Sequence, residues 1–332
     1  MNIPIYKDLD LNSTEALLKR FYSFKNPFLS EITFDFSNSE FICLNGLLFL
    51  LGLSYCLKNK KLKNNLDVKN IFLNLTSRND IKNHLHKMQF FKTSCILNNC
   101  FNNGEKMSEI DKKQYQIWEK ENKEWQKVDW EKYHYYPIYY ISKPKHDSNL
   151  FLKESECSET MGNFLNSMNE IFILILEKVL NFPKEAIYGS ESGKITYPFW
   201  QPIKELYENI FLHSNSWGIT ALQVYRNRID IGFFDIGLGI KTTINQKFSF
   251  ETDKEAITNI LKKGLSCKKE GGAGLAIVKN YVSKWGGILT IRSGEAKIRV
   301  KGDDLKTYDV DYFPGTQIFI SIPRYYKRGK TI

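Results

Sequence analysis

From Phe41 to Leu57 the chain carries no charged side chain, and this stretch restricts the fold more than any other. A helix that is apolar on every side has no face to offer water, so other elements or lipid must enclose it. It runs into the basic segment Lys58-Asn-Lys60-Lys61 and holds Asn45, Gly46, Gly52 and Ser54 along its length. It also falls short of the roughly 20 residues that span a bilayer. The expectation is a helix buried inside a layered domain, with no membrane span.

The flanking sequence supplies the layers. Glu31-Ile-Thr-Phe-Asp-Phe36 alternates apolar and polar side chains, which predicts a strand. Val68 to Leu75 predicts a second strand, and Arg78 to Phe91 a closing helix with Asp80 in its first turn. Strand, buried helix, strand and short helix imply an α/β layer domain over residues 1–100. Residues 101–153 break this pattern, mixing Lys, Glu and Gln with Trp118, Trp125, Trp130 and a Tyr133–Tyr140 cluster. Aromatics among charges can stack on single-stranded nucleic acid. Acidic residues alternate with the basic ones here, which favours a connecting helix followed by a strand, Tyr135 to Ile141.

A second domain is expected over residues 154–332, also of the α/β class. Met161 to Phe182 predicts a helix, with Phe164, Met168, Ile171, Ile175 and Val179 on its buried face. Pro202 fits the first turn of the next helix, where its missing N–H is harmless. Strands are expected at Gly218–Tyr225, Ile229–Asp235, Gly287–Arg292 and Gly315–Ile322, with a helix from Gly274 to Lys284 between the second and third. Helices on one face of a mixed sheet complete this domain.

The 332 residues suit two domains, and 42% hydrophobic with 25% charged residues excludes a disordered chain. The formal charge of +10 favours anionic partners, although a Lys- and Asn-rich composition produces it as well. The six cysteines show no paired spacing that would suggest zinc. Acidic residues stand where a signal peptide would need a basic and then an apolar region, so a cytoplasmic protein with reduced thiols is expected.

Three segments carry the chemistry. In Glu205-Leu-Tyr-Glu-Asn209-Ile-Phe-Leu-His213 a carboxylate, a carboxamide and an imidazole recur every four residues, so one helix would align them along one side. Asn has only middling helix propensity, and its place between Glu205 and His213 calls for a role. Asp235-Ile-Gly237-Leu-Gly239 ends a mostly apolar strand, which puts a carboxylate at the mouth of a hydrophobic slot, with glycines that let backbone approach closely. Gly264-Leu-Ser266-Cys-Lys-Lys269-Glu-Gly271-Gly272-Ala-Gly274 runs into the predicted helix. Its glycines let consecutive N–H groups point at an anion, and the helix adds its positive end.

Together and in this order, the three segments resemble the nucleotide site of the GHKL superfamily, which includes gyrase B subunits, MutL-type proteins, sensor histidine kinases and anti-sigma-factor serine kinases. The resemblance implies a Bergerat-type α/β sandwich that binds ATP and Mg²⁺. It implies Asn209 as the magnesium ligand, Asp235 as acceptor of the adenine amine, and Gly237 and Gly239 beside the base. Ser266, Lys269, Gly271, Gly272 and Gly274 would form the phosphate lid, and Thr316 would close the adenine pocket. Glu205 matches the residue that orients or deprotonates the attacking nucleophile. Sensor kinases usually carry Asn there, whereas the Glu, Asn and His spacing is that of the anti-sigma-factor kinases, with His213 in a supporting hydrogen bond. Many superfamily members dimerise, so a homodimer is also implied.

Residues 1–95, with Phe34-Asp-Phe-Ser and Phe41 to Leu47, resemble the STAS domains of anti-sigma-factor antagonists. This implies a docking domain for a protein partner. Cys43, Leu44 and Asn45 stand where those domains carry a phosphorylated serine, so no phosphorylation switch is expected there. Three functions follow: an ATPase acting as a regulatory switch, a serine/threonine kinase acting on a separate protein, or a nucleotide or nucleic-acid binding module without turnover.

Overall fold

The structure, a computed structural model, describes residues 1–5, 7–26, 28–75, 79–97, 101, 135–141, 166, 173, 175–179, 184, 188, 192–214, 216–266 and 274–324. The protein is a mixed α/β chain with parallel and antiparallel sheets, and it divides into two compact units, Met1–Tyr139 and Tyr140–Ile332.

In the first unit, β1 (Asn2–Pro4), β3 (Phe28–Asp35) and β5 (Asp67–Asn74) form a parallel sheet in the order β1-β3-β5. A separate parallel pair joins β2 (Lys7–Leu9) to β4 (Ser39–Ile42). Helix α1 (Leu11–Tyr22) begins at a reciprocal cap in which the Asp10 carboxylate accepts from the Asn12 and Ser13 N–H groups and Ser13 Oγ accepts from the Asp10 N–H. The uncharged stretch forms α2 (Leu44–Lys58), and twelve of its fifteen residues are buried, as its sequence requires. Gly46 lets α2 lie directly on the Leu9 carbonyl, a position any Cβ would occupy. No described helix is long and apolar enough to cross a membrane. The expected closing helix is two helices, α3 (Asn79–Lys87) and α4 (Phe90–Ile96). Gln89, left-handed at φ 56°, turns the chain between them.

In the second unit, β7 (Gly218–Val224), β8 (Arg228–Asp235), β9 (Ile288–Lys301) and β10 (Asp304–Pro323) run in the order β7-β8-β10-β9. The expected strand forms as β6 (Tyr135–Ile141), across the boundary of the two units in sequence. Every pairing among β7, β8, β10 and β9 is antiparallel. The expected mixed sheet is not seen among these four strands, because β10 returns between β8 and β9, which themselves run the same way. Both later strands extend further than expected. Beyond Arg292 and before Gly315 they continue as one long hairpin, so Thr316 lies within a strand and does not open one.

The connection from β8 to β9 holds α6 (Ile240–Ile244), α7 (Asp253–Lys263) and α8 (Gly274–Lys284). Helix α7 starts at a Thr252 cap and stops at Gly264, left-handed at φ 65°. Helices α7 and α8 pack on β9, and α5 (Ser192–Glu208) packs on α8. The Phe199 and Trp285 rings stack there at 4.6 Å, and Trp285 is buried. Helix α5 begins ten residues before Pro202, so Pro202 and Pro198 both sit inside it and not in a first turn. Each removes an N–H from the helical ladder. Both are buried, so packing holds this helix where its own hydrogen bonds cannot. Of the helix expected over Met161–Phe182, Ile175–Val179 forms a π-helical turn, and most of the remainder lies outside the described residues.

Candidate functional site

Four segments far apart in sequence meet at one cavity beside the central strands. It encloses about 100 Å³ and, with its open mouth, about 810 Å³ of space. Glu205 and Asn209, Asp235 and Gly239, Ser266 and Gly274, and Thr316 all line it. Phe233 of β8 and Ile318 of β10 pair across the strands and form its apolar wall with Ile240, Ile244 and Leu275.

Asp235 ends β8 directly opposite Thr316 of β10. It is only 6% exposed, and its Oδ1 accepts the Gly237 N–H at 2.7 Å. Burial is the dominant influence on its carboxyl and raises it to about 7. The N–H groups of Gly237 and Thr316 pull the other way. A carboxyl so placed can present either an oxygen acceptor or an O–H donor to whatever enters the slot.

The loop after Asp235 is held from two sides. Gly237 is pressed against the Ser214 backbone with no room for a Cβ, and the Leu238 N–H donates to the Ser214 carbonyl at 3.0 Å. Gly237 therefore fixes the loop to the end of the Glu205–Asn209 segment and is not itself part of the cavity lining. Gly239 does line the cavity, in a φ of 77° that glycine adopts without strain. On the other side Ser293 of β9, 1% exposed, accepts from the Ile240 N–H at 2.9 Å and donates to the Gly315 carbonyl at 2.9 Å.

Glu205 faces the cavity from α5, and Asn209 from the residue that follows it, where the helix changes character. Asn209–His213 is a π-helical turn. Its wider winding breaks the regular four-residue spacing, so the expected single line of Glu205, Asn209 and His213 on one α-helix is not formed. The His213 side chain lies outside the described residues. Glu205 Oε1 accepts from Gln201 Nε2 at 3.0 Å. The first residue of α8 closes this corner, since a Cβ on Gly274 would stand 2.8 Å from Glu205 Oε2 and 3.8 Å from Asn209 Nδ2. The backbone at the positive end of α8 thus approaches a carboxylate and a carboxamide at once.

Lys269, Gly271 and Gly272 lie outside the described residues, as do Trp118, Trp125 and Trp130. Among the described residues no group of three or more His, Cys, Asp or Glu side chains is placed to hold a metal ion. Gln201, Ser214 and Ser293 were not apparent from the sequence. Only Gln201, four residues before Glu205, carried a local signal. Compared with known proteins, the chain matches no family model and no curated protein.

Proposed function

We propose that the second unit binds ATP with Mg²⁺ and transfers the terminal phosphoryl group to water, so that the protein works as a nucleotide-driven regulatory switch. The observation that carries this reading is convergence: Glu205, Asn209, Asp235, Gly239, Ser266, Gly274 and Thr316, picked from separate segments, line the same cavity. The residues suit the ligand. A buried carboxyl stands beside an apolar wall that fits a flat base, and Asp235, when ionised, accepts from the exocyclic amine. Gly274 leaves space next to Glu205 and Asn209 that a side chain would fill.

Asn209 would hold Mg²⁺ through its amide oxygen, a hard donor that suits this ion. The bound ion supplies neutralisation of the charge that builds up in phosphoryl transfer. The first turn of α8 receives phosphate oxygens on its N–H groups, and sequence alone assigns Lys269, Gly271 and Gly272 to the same loop. Glu205 orients the attacking water and takes its proton. The first unit, on its STAS-like pattern, docks a protein partner.

The test is phosphate release from γ-labelled ATP with Mg²⁺. The wild type is expected to release phosphate, and Glu205→Ala to bind ATP while releasing roughly a hundredfold less. Equal release by both proteins would remove Glu205 as the base. Label retained on protein, or turnover that waits for a partner, would make a protein hydroxyl the acceptor and the chain a kinase.

A further inference from the structure

We infer that Gln201 is a positioning residue for Glu205, a role that rests on the reading of Glu205 as the base toward water. Gln201 does not line the cavity, yet its side-chain amide donates to the carboxylate that does, at 3.0 Å in a partly buried bond. The two carboxylate oxygens thereby take different places. Oε1 is held by Gln201, and Oε2 is the oxygen turned toward Gly274 and the start of α8.

The backbone explains why a side-chain bond is needed here. Pro198 and Pro202 lie on either side of Gln201, and each lacks the N–H that would tie it to the preceding turn. One turn later the ladder widens into the π-turn that starts at Asn209. The turns leading to the base thus lack two ladder donors, and the Gln201–Glu205 bond crosses the turn that Pro202 interrupts. A glutamate side chain has three torsions, and catalysis falls steeply when a reacting group is misplaced by about 1 Å. A neutral amide selects one orientation without competing for the proton, because it has no readily titrated site of its own.

The experiment compares wild type and Gln201→Met in phosphate release at saturating ATP with Mg²⁺, followed across pH, and in Kd for a non-hydrolysable ATP analogue. Met keeps the length and loses the donor. The expected result is a kcat lowered about tenfold across the pH range with Kd within about twofold of wild type. A Gln201→Met kcat equal to wild type would overturn the role, as would Kd and kcat failing together. A wild type that binds the analogue and releases no phosphate would instead retire the hydrolysis reading, and this role with it.

Discussion

At Asp235 the protein sacrifices stability to keep a carboxyl in an apolar slot. In the unfolded chain this group titrates near 4, as free aspartates do, and in the fold burial raises it to about 7. Between those two values the native state holds a proton that the unfolded chain releases, so stability is greatest below about 4 and is lost as pH rises through 7. Asp235→Asn has no charge to bury. Its stability should gain on wild type as pH rises, by up to roughly 4 kcal/mol for a shift of about three units, while its affinity for ATP falls. Urea midpoints of both proteins at pH 4.5 and pH 8 check the first expectation; a constant difference would disprove it. Two glycines separate structure from chemistry at the same scale. A Cβ at Gly237 meets the Ser214 backbone, which cannot give way, so Gly237→Ala should destabilise by roughly 2 kcal/mol or more and abolish nucleotide binding. A Cβ at Gly274 meets only the end of the Glu205 side chain, and alanine favours a helix by about 1 kcal/mol. Gly274→Ala should therefore keep its melting temperature and lose hydrolysis.

Among the elements, those that could be read in advance have a strong apolar period between clear stops. The run Ile229 to Phe234 gave β8, and the alternation from Glu31 lies within β3 as far as Asp35, one residue short of its expected end at Phe36. Helix α8 has the expected bounds because a glycine-rich segment precedes it and Trp285-Gly-Gly follows. The failures have physical causes as well. Pro202 reads as a helix start, yet buried packing around Phe199 and Ile203 carries α5 through two prolines. The break between α3 and α4 falls at Gln89, a residue with no special liking for φ 56°. In the outer hairpin, Ala296, Ile298 and Val300 alternate with Lys297, Arg299 and Lys301, a strand signal obscured by its charge. The cavity's contributors were legible because each brings unusual chemistry, a mid-helix Asn or a carboxylate after an apolar run. Their fastening was not, since a serine such as Ser293 on β9 becomes distinctive only when β10 and the start of α6 meet it. Ser293→Ala removes the partner of both the Ile240 N–H and the Gly315 carbonyl. The expected loss is roughly 1–3 kcal/mol. Faster amide exchange at Ile240 should accompany it, and unchanged protection there would show that the loop is held by other contacts.

For the whole molecule, the two units should answer acid in opposite directions. Helix α3 of the first unit carries two histidines packed on aromatic rings, His84 on Phe41 and His86 on Phe91. Burial is the main cause that lowers His84 to about 4 and His86 to about 3, with Lys87 and Lys82 adding repulsion in turn. Both are neutral in the fold, whereas the unfolded chain takes up protons from about 6.5 downward. Their contribution is thus intact above about 6.5 and is lost as pH falls toward 4 and 3. Asp235 in the second unit works the other way, gaining stability over nearly the same range as the pH drops from 7 to 4. Hydrogen exchange read by mass spectrometry, corrected for the intrinsic pH dependence of amide exchange, resolves the units in a single sample. Between pH 7 and pH 4.5 the opening free energy of the β5 amides Ile71–Leu73 should fall, and that of the β8 amides Ile231–Phe234 should rise or hold. His84→Phe with His86→Leu should flatten the first response and leave the second. Parallel loss in both units would mean that general charge repulsion in this basic chain outweighs the buried groups.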